Sequence, residues 1–210
     1  MNPTLSNTIF CILVTILIPG VSGTASAEPS NGVVIKELEQ DGVKGLSATF
    51  EIAQPRDVVF KTIDHLPSFT KLFPNILAYK VLKTKGNTRD VYFRVDAVLA
   101  EAEYTLRRKS VPGQHVDTIT WNRISGDANV IRGAWVLSKG KKTGTTQVVY
   151  KSFVDVAMLI PTATVRSMAI GKVHDMVRRV RDASAENATD FEKNGVLLKS
   201  DSNPQEPSKP

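Results

Sequence analysis

Two arginines of this 210-residue chain fall where strand alternation otherwise places apolar side chains. Arg108 continues the phase of Leu106, and Arg123 continues the phase of Trp121. A guanidinium in an apolar environment is costly unless it meets an anion or a hydrogen-bond acceptor. The pattern indicates either head-group anchors for a carboxylate, phosphate or quinone oxygen, or two strand ends that point into water. The second interpretation is the simpler one, because charged side chains are rarely fully buried.

One pair of carboxylates has the spacing of an acid–base catalyst. Glu101 and Glu103 are two residues apart and share a predicted strand face. Arg107 lies on the same face, however, which is typical of a solvated outer surface. We therefore expect no catalytic role for this pair.

The histidines and the single cysteine do not indicate a metal site or a nucleophile. His65, His115 and His174 lie on three separate predicted elements, whereas a metal site needs several ligands in one place. Cys11 lies in the N-terminal leader, so the mature chain has no thiol. No G-x-S-x-G, phosphate loop or dinucleotide fingerprint occurs. We expect no cofactor, no metal and no catalytic residue fixed by a motif.

The leader, residues 1–27, has the composition of a secretory signal peptide. It contains no charged side chain, and its apolar stretch Ile9–Val21 is shorter than the roughly 20 residues of a membrane-spanning helix. Ala25-Ser26-Ala27 supplies small residues for cleavage after Ala27. The leader lacks the usual basic residues, which leaves an uncleaved N-terminal anchor as the alternative. We expect a secreted or periplasmic protein.

Residues 43–190 are predicted to form one domain, between a lead-in at 28–42 and a disordered tail at 191–210. The tail ends in KSDSNPQEPSKP, which is polar and proline-rich. Within the domain, alternation and turn residues predict seven strands, and helical spacing predicts two short helices after the first strand. The predicted strands span 46–52, 76–83, 90–99, 102–109, 115–124, 132–138 and 145–158.

The last predicted element is a long amphipathic helix over about 165–183. Its apolar stripe includes Met168, Val173 and Met176 at spacings of three and four residues. The order of elements predicts an α+β helix-grip fold: a curved antiparallel sheet of about six to seven strands wrapped around this helix. One helix does not fill the concave face of such a sheet, which predicts a cavity for an apolar ligand.

Alternation also predicts which side chains line that cavity. The pattern is also that of an ordinary packed core, since stripes of aromatic and Met residues usually belong to a core. As a group, mostly apolar with few polar members, these residues are typical of a ligand pocket. The candidate ligand-binding residues are Phe93, Tyr104, Arg108, Trp121, Arg123, Tyr150, Met168, Val173 and Met176.

Two segments resemble the START-like (SRPBCC) superfamily: PRDVVFKTIDHLPSFTKLFP at 55–74 and GAWVLSKGKKTGTTQVVYKSFVDV at 133–156. The similarity spans Val43 to Ala185 and is nearest to the polyketide cyclase/dehydrase and lipid transport group and its coenzyme-Q-binding START-like branch. Its marks are Asp64, a Gly-x-Trp at 133–135 and a Gly-Thr at 144–145. The resemblance implies a tunnel between sheet and helix that binds lipids, quinones or polyketides, with catalysis in some members only.

These observations favour a secreted, monomeric carrier of a hydrophobic small molecule or lipid. The alternative is a cyclase or dehydratase acting on a polyketide-like or isoprenoid substrate. The net charge of +6 comes from scattered basic residues without interleaved aromatics, which argues against nucleic acid as a partner. Such a surface is either simply solvated or makes peripheral contact with an anionic membrane.

Overall fold

The computed structural model describes residues 32–97, 100–156 and 162–194. The predicted signal peptide and most of the predicted tail lie outside these ranges. The elements, in chain order, are β1 Val34–Gln40, β2 Val43–Ile52, α1 Arg56–Asp64, a 3₁₀ turn Leu66–Ser68, α2 Phe69–Leu72, β3 Ile76–Lys85, β4 Thr88–Asp96, β5 Glu101–Val111, β6 Val116–Gly126, β7 Ala128–Lys139, β8 Thr146–Val156 and α3 Thr162–Asn194.

The strands form one antiparallel sheet in the order β1-β2-β8-β7-β6-β5-β4-β3. With the long C-terminal α3, this arrangement confirms the predicted helix-grip fold. The sheet has eight strands rather than six to seven. The additional strand β1 lies within the predicted lead-in 28–42 and pairs with β2 through a two-residue turn. Asp41 and Gly42 occupy that turn with φ of 54° and 73°, as a type I′ hairpin requires.

The two short helices follow from proline placement and helical spacing. Pro55 lies just before α1, where its missing N–H costs nothing. Val59 and Ile63 lie one turn apart on α1 and are fully buried. Pro67 falls at the start of the 3₁₀ turn, which separates α1 from α2.

Helix α3 packs against α1 and closes one end of the interior between helix and sheet. We call this region the packed end, and it consists of Ile52, Val59, Ile63, Val177 and Val180, all essentially inaccessible to solvent. A hydrogen bond of 2.8 Å from Asn187 Nδ2 to Thr62 Oγ1 joins the two helices.

Toward its N-terminal half, α3 borders a cavity instead of a packed core. Val173 and Met176 of the predicted stripe are buried there, whereas the side chain of Met168 lies outside the described part of the chain. Helix α3 continues to Asn194, past the predicted domain boundary at 190. Among the described residues, no helix has the length and apolar character needed to cross a membrane.

Candidate ligand-binding site

The site is a cavity of about 880 Å³ between the sheet, α2 and α3. Its wall combines residues from all eight strands, from α2 and the loop after it, and from α3, so it belongs to the fold as a whole. The lining residues are Glu37, Leu38, Glu39, Lys44, Gly45, Leu46, Phe69, Leu72, Phe73, Pro74, Asn75, Ile76, Phe93, Tyr104, Leu106, Arg108, Trp121, Ile131, Trp135, Tyr150, Ser152, Val154, Lys172, Val173, Asp175 and Met176.

The charged lining residues mark the side on which the cavity opens to solvent. Glu39 and Lys44 of the β1–β2 hairpin are exposed, as are Lys172 and Asp175 of α3. Charges of both signs therefore surround the mouth, which attracts no ligand charge strongly by itself. The buried lining residues differ from this rim, since nearly all of them are apolar or aromatic.

Register between neighbouring strands brings the deep lining residues together. Phe93 of β4 pairs with Tyr104 of β5, and Trp135 of β7 pairs with Tyr150 of β8. Directly paired residues point to the same face of a sheet. Alternation along each strand then repeats the pattern and produces a continuous wall.

The wall is unusually aromatic. Seven of the chain's fourteen Phe, Tyr and Trp residues line the cavity. Tyr150 lies between two tryptophans, with ring centroids 4.6 Å from Trp135 and 5.9 Å from Trp121. Trp121 is the register partner of Gly133, and a Cβ at position 133 would collide with the Trp121 ring. The Gly133 of the Gly-x-Trp motif therefore gives Trp121 the space for its position in the wall.

Arg108 is the one fully buried cation of the described lining. Its side chain is only 3% exposed, and its guanidinium lies 4.6 Å from the centroid of the Phe69 ring. The guanidinium atom Nη2 is 3.8 Å from Asp64 Oδ1, a distance too long for a hydrogen bond. Nη1 has no hydrogen-bond partner among the described residues. Burial lowers the pKa of Arg108 to about 10, so the group remains charged at neutral pH.

Asp64 is held mainly by residues other than Arg108. It pairs closely with Arg89, and Ser110 Oγ donates a hydrogen bond of 2.6 Å to its Oδ1. Two guanidinium groups thus share a single carboxylate. The cluster of Asp64, Arg89 and Arg108 carries one net positive charge, and Arg108 presents it to the cavity.

Two phenols supply the other deep polar atoms. Burial raises the pKa of Tyr104 and of Tyr150 above the usual value for tyrosine. Both hydroxyls are therefore neutral at physiological pH. They can donate or accept hydrogen bonds but are poorly suited to act as bases.

The structure places seven of the nine predicted site residues in the lining. These are Phe93, Tyr104, Arg108, Trp121, Tyr150, Val173 and Met176. The backbone of Met168 lies on α3, but its side chain is outside the described part.

Arg123, also predicted as a site residue, is not among the residues that line the cavity. It lies near the end of β6, where the chain reverses into β7. Its guanidinium donates to the backbone carbonyl oxygens of Gly126 at 3.0 Å and Asn129 at 3.2 Å. Both hydrogen bonds are local, at a partly exposed strand end.

Sequence reasoning missed three aromatic lining residues and the environment of Arg108. Phe69 and Phe73 lie on and just after α2, which is too short for its buried face to show in the pattern. Trp135 and Asp64 were noted as marks of a family resemblance, without a role in the cavity. The alternation of β7 already contains the signal for Trp135, whereas the pairing of Asp64 depends on tertiary structure.

An antiparallel sheet that packs around one long helix, with an apolar cavity between them, is the architecture of the helix-grip fold. The chain belongs to the family described as polyketide cyclase / dehydrase and lipid transport, whose model matches residues 52–181. The match covers most of the domain, including β4 to β8 and the cavity-facing part of α3.

Solved structures share the fold at low sequence identity. A STAR-related lipid transfer protein from Xanthomonas axonopodis superposes with a TM-score of 0.64 at 12% identity, over 76% of this chain and 97% of that one. The Zhui aromatase/cyclase from Streptomyces sp. R1128 gives 0.55 at 14% identity, over 79% and 100%. Human StAR-related lipid transfer protein 5 gives 0.64 at 8%, over 74% and 83%. No curated protein sequence matches this chain.

Proposed function

We propose that this protein is a secreted carrier that binds one hydrophobic small molecule or lipid in the cavity beside α3. The observation that carries the proposal is the cavity itself, about 880 Å³ and walled mainly by apolar side chains. Protein cores contain few voids larger than a water molecule, whereas ligand pockets typically measure about 300–1,000 Å³. A volume of this size is therefore better suited to a ligand than to a defect in packing.

Binding would be driven by removal of apolar surface from water. Each Å² of buried apolar surface contributes about 25 cal/mol before the cost of association. The family match supports this class of ligand, as do two of the structural neighbours described above, which are lipid transfer proteins. The solvent-exposed mouth beside the β1–β2 hairpin is the expected entry route.

Secretion is supported by the leader. We expect the mature protein to begin at Glu28, to be monomeric, and to have any contact with anionic membranes weakened by salt, because exposed charges are screened. Intact mass of the protein recovered from the periplasm or medium tests the cleavage. A mass that retains residues 1–27 would contradict secretion by cleavage and favour an N-terminal anchor.

The test of binding uses a neutral fluorescent probe, 1-pyrenebutanol, with wild type and the variant Met176→Trp. Met176 is buried in the lining, so the larger ring occupies cavity volume. We expect binding at a 1:1 ratio to wild type and at least about tenfold weaker binding to the variant. Leu82→Trp is the control, because Leu82 is exposed on β3 and outside the lining. Equal affinity in all three proteins would show that the probe binds elsewhere.

A cyclase or dehydratase remains the second candidate, supported by Arg108 and the two phenols in one cavity and by the aromatase/cyclase neighbour. Such an enzyme needs a group that accepts a proton near the substrate. The raised pKa of Tyr104 and Tyr150 opposes that role, and the acidic residues of the described lining lie at the exposed mouth. The deep lining therefore favours binding over catalysis. Conversion of a linear polyketone probe by wild type would reverse this preference.

A further inference from the structure

We propose that Arg108 forms an anion site inside the cavity and that the ligand is an amphipathic carboxylic acid with a flat, conjugated or aromatic body. This inference rests on the proposed ligand-binding function and adds the chemical class of the ligand. It is carried by the charge balance of the Arg108 cluster, the geometry of its guanidinium and the composition of the wall.

The charge balance leaves one positive charge without a counter-ion. Asp64 is satisfied by its close ion pair with Arg89 and by the hydrogen bond from Ser110. Arg108 reaches the same carboxylate only at 3.8 Å. A buried cation of this kind is destabilising unless an anion approaches it. One monoanionic ligand group would neutralise the cluster.

The geometry directs that charge into the cavity. Arg108 is itself a lining residue, and its register partner across the sheet is Trp121, another lining residue. Its face rests on the Phe69 ring, which leaves the edge of the guanidinium to make hydrogen bonds. Nη1 lacks a partner within the described ranges. The planar fork of a guanidinium matches the two oxygens of a carboxylate.

The fold gives only part of a reason for a cation at this position. Arg89 already neutralises Asp64, and the contact of the Arg108 guanidinium with the Phe69 ring offsets only part of the cost of burying the charge. Replacing a whole buried ion pair with apolar side chains is often neutral or stabilising, whereas removing one partner leaves the other charge unpaired. Here Arg89 stays to neutralise Asp64 when Arg108 alone is replaced. A buried cation at a cavity wall that lowers the stability of the fold is best explained by a bound anion that neutralises it.

The wall indicates the shape of the ligand body. The rings of Trp121, Trp135 and Tyr150 form one side, and Phe69 and Phe93 stack with centroids 6.0 Å apart on another. Aromatic faces pair favourably with other flat π-systems beyond the burial of area. A conjugated or polycyclic body therefore gains more from this wall than a saturated chain of equal area.

The experiment compares two probes that differ only in their head group, 1-pyrenebutyric acid and 1-pyrenebutanol. We expect wild type to bind the acid at least about tenfold more tightly at pH 7. Arg108→Met should weaken binding of the acid by about ten- to a hundredfold and leave the alcohol within about twofold. Arg123→Met is the matched control, because Arg123 lies outside the lining, and it should change neither affinity.

The outcomes separate this inference from the proposed function. Suppose that wild type binds the acid no more tightly than the alcohol, and that Arg108→Met binds each probe as tightly as wild type does. The anion site is then refuted, while the carrier function stands. If wild type binds neither probe, both proposals fail. A pyrenyl phosphate monoester carries nearly two negative charges at pH 7, more than the one net positive charge of the Arg108 cluster can neutralise. Tighter binding of this phosphate than of the carboxylic acid would therefore overturn the assignment of a carboxylate. The preference of wild type for the acid is a test even if Arg108→Met does not fold.

Discussion

The two ends of the space between α3 and the sheet differ in whether their buried polar groups have hydrogen-bond partners. At the packed end, the hydroxyls of Thr62 and Ser184 are fully buried, and each donates to a carbonyl four residues earlier, at 2.8 and 2.7 Å. At the cavity end, Arg108 is almost as deeply buried, yet Nη1 has no partner among the described residues. One helix thus borders both a satisfied core and an incompletely satisfied wall.

This difference indicates a division of roles within a single fold. The packed end supplies stability through close contacts between α1, α3 and β2. The cavity end contributes less to stability than the packed end, because its residues border a void and include a buried cation that is not fully neutralised. Substitutions in the two ends should therefore separate stability from binding.

The largest effect on stability is expected from Ile63→Ala at the packed end. Ile63 is fully buried between α1 and its neighbours, so truncation creates a new cavity and should lower the free energy of unfolding by about 2–5 kcal/mol. Leu106→Ala at the cavity wall should lose roughly half as much, since its removed atoms border existing space. Chemical denaturation measures both.

Ile124→Ala is the matched control for that comparison. Ile124 is 45% exposed, and the same truncation should change the free energy of unfolding by less than about 0.5 kcal/mol. Equal losses at Ile63 and Leu106 would show that the two ends are packed alike.

A smaller effect of opposite sign is expected from Arg108→Met without ligand. Removal of a buried, unneutralised charge should raise the free energy of unfolding by about 1–4 kcal/mol at pH 7. Burial lowers the pKa of Arg108 to about 10 in the folded protein, so the unfolded chain binds the proton more tightly. Wild type therefore gains stability relative to the variant as pH rises through about 10.

Denaturation of both proteins at pH 8, 9, 10 and 11 checks the sign. The advantage of Arg108→Met should be constant up to about pH 9 and then shrink. Arg123→Met removes hydrogen bonds to two carbonyls and should destabilise slightly at every pH. A loss of stability in Arg108→Met would mean that its charge supports the fold rather than a ligand.

The smallest of the three effects is expected from Asn187→Ala. Its amide joins α3 to Thr62 of α1 at the packed end, so the variant should lose about 0.5–1.5 kcal/mol and bind pyrenebutanol normally. Thr189→Ala, two residues along the same helix, alters only an exposed local hydrogen bond and serves as the control. Weaker probe binding in Asn187→Ala would indicate that the two ends are coupled.

Alternation and turn residues were sufficient to predict most of the fold. The strands β2 to β8 and α3 each follow from a periodic pattern of side chains. Strand β1 was missed because its burial is only partial along its length. The Asp41-Gly42 pair, a strong signal for a two-residue hairpin, could have identified it.

The site was only partly predictable, as the two arginines illustrate. Arg108 and Arg123 show the same pattern in the sequence and have opposite environments in the structure. Arg108 is buried beside Asp64, a partner 44 positions earlier in the chain, whereas Arg123 reaches carbonyls of the adjacent turn. Local periodicity specifies the face of a strand but contains no information about which distant side chains meet there.

Native mass spectrometry of the purified protein, followed by organic extraction, tests the central claim most directly. We predict a 1:1 adduct in wild type that extraction releases as a conjugated carboxylic acid, and that is lost in Met176→Trp but retained in Leu82→Trp. A wild-type protein that shows only its bare mass and also fails to bind pyrenebutanol would contradict a ligand-binding cavity.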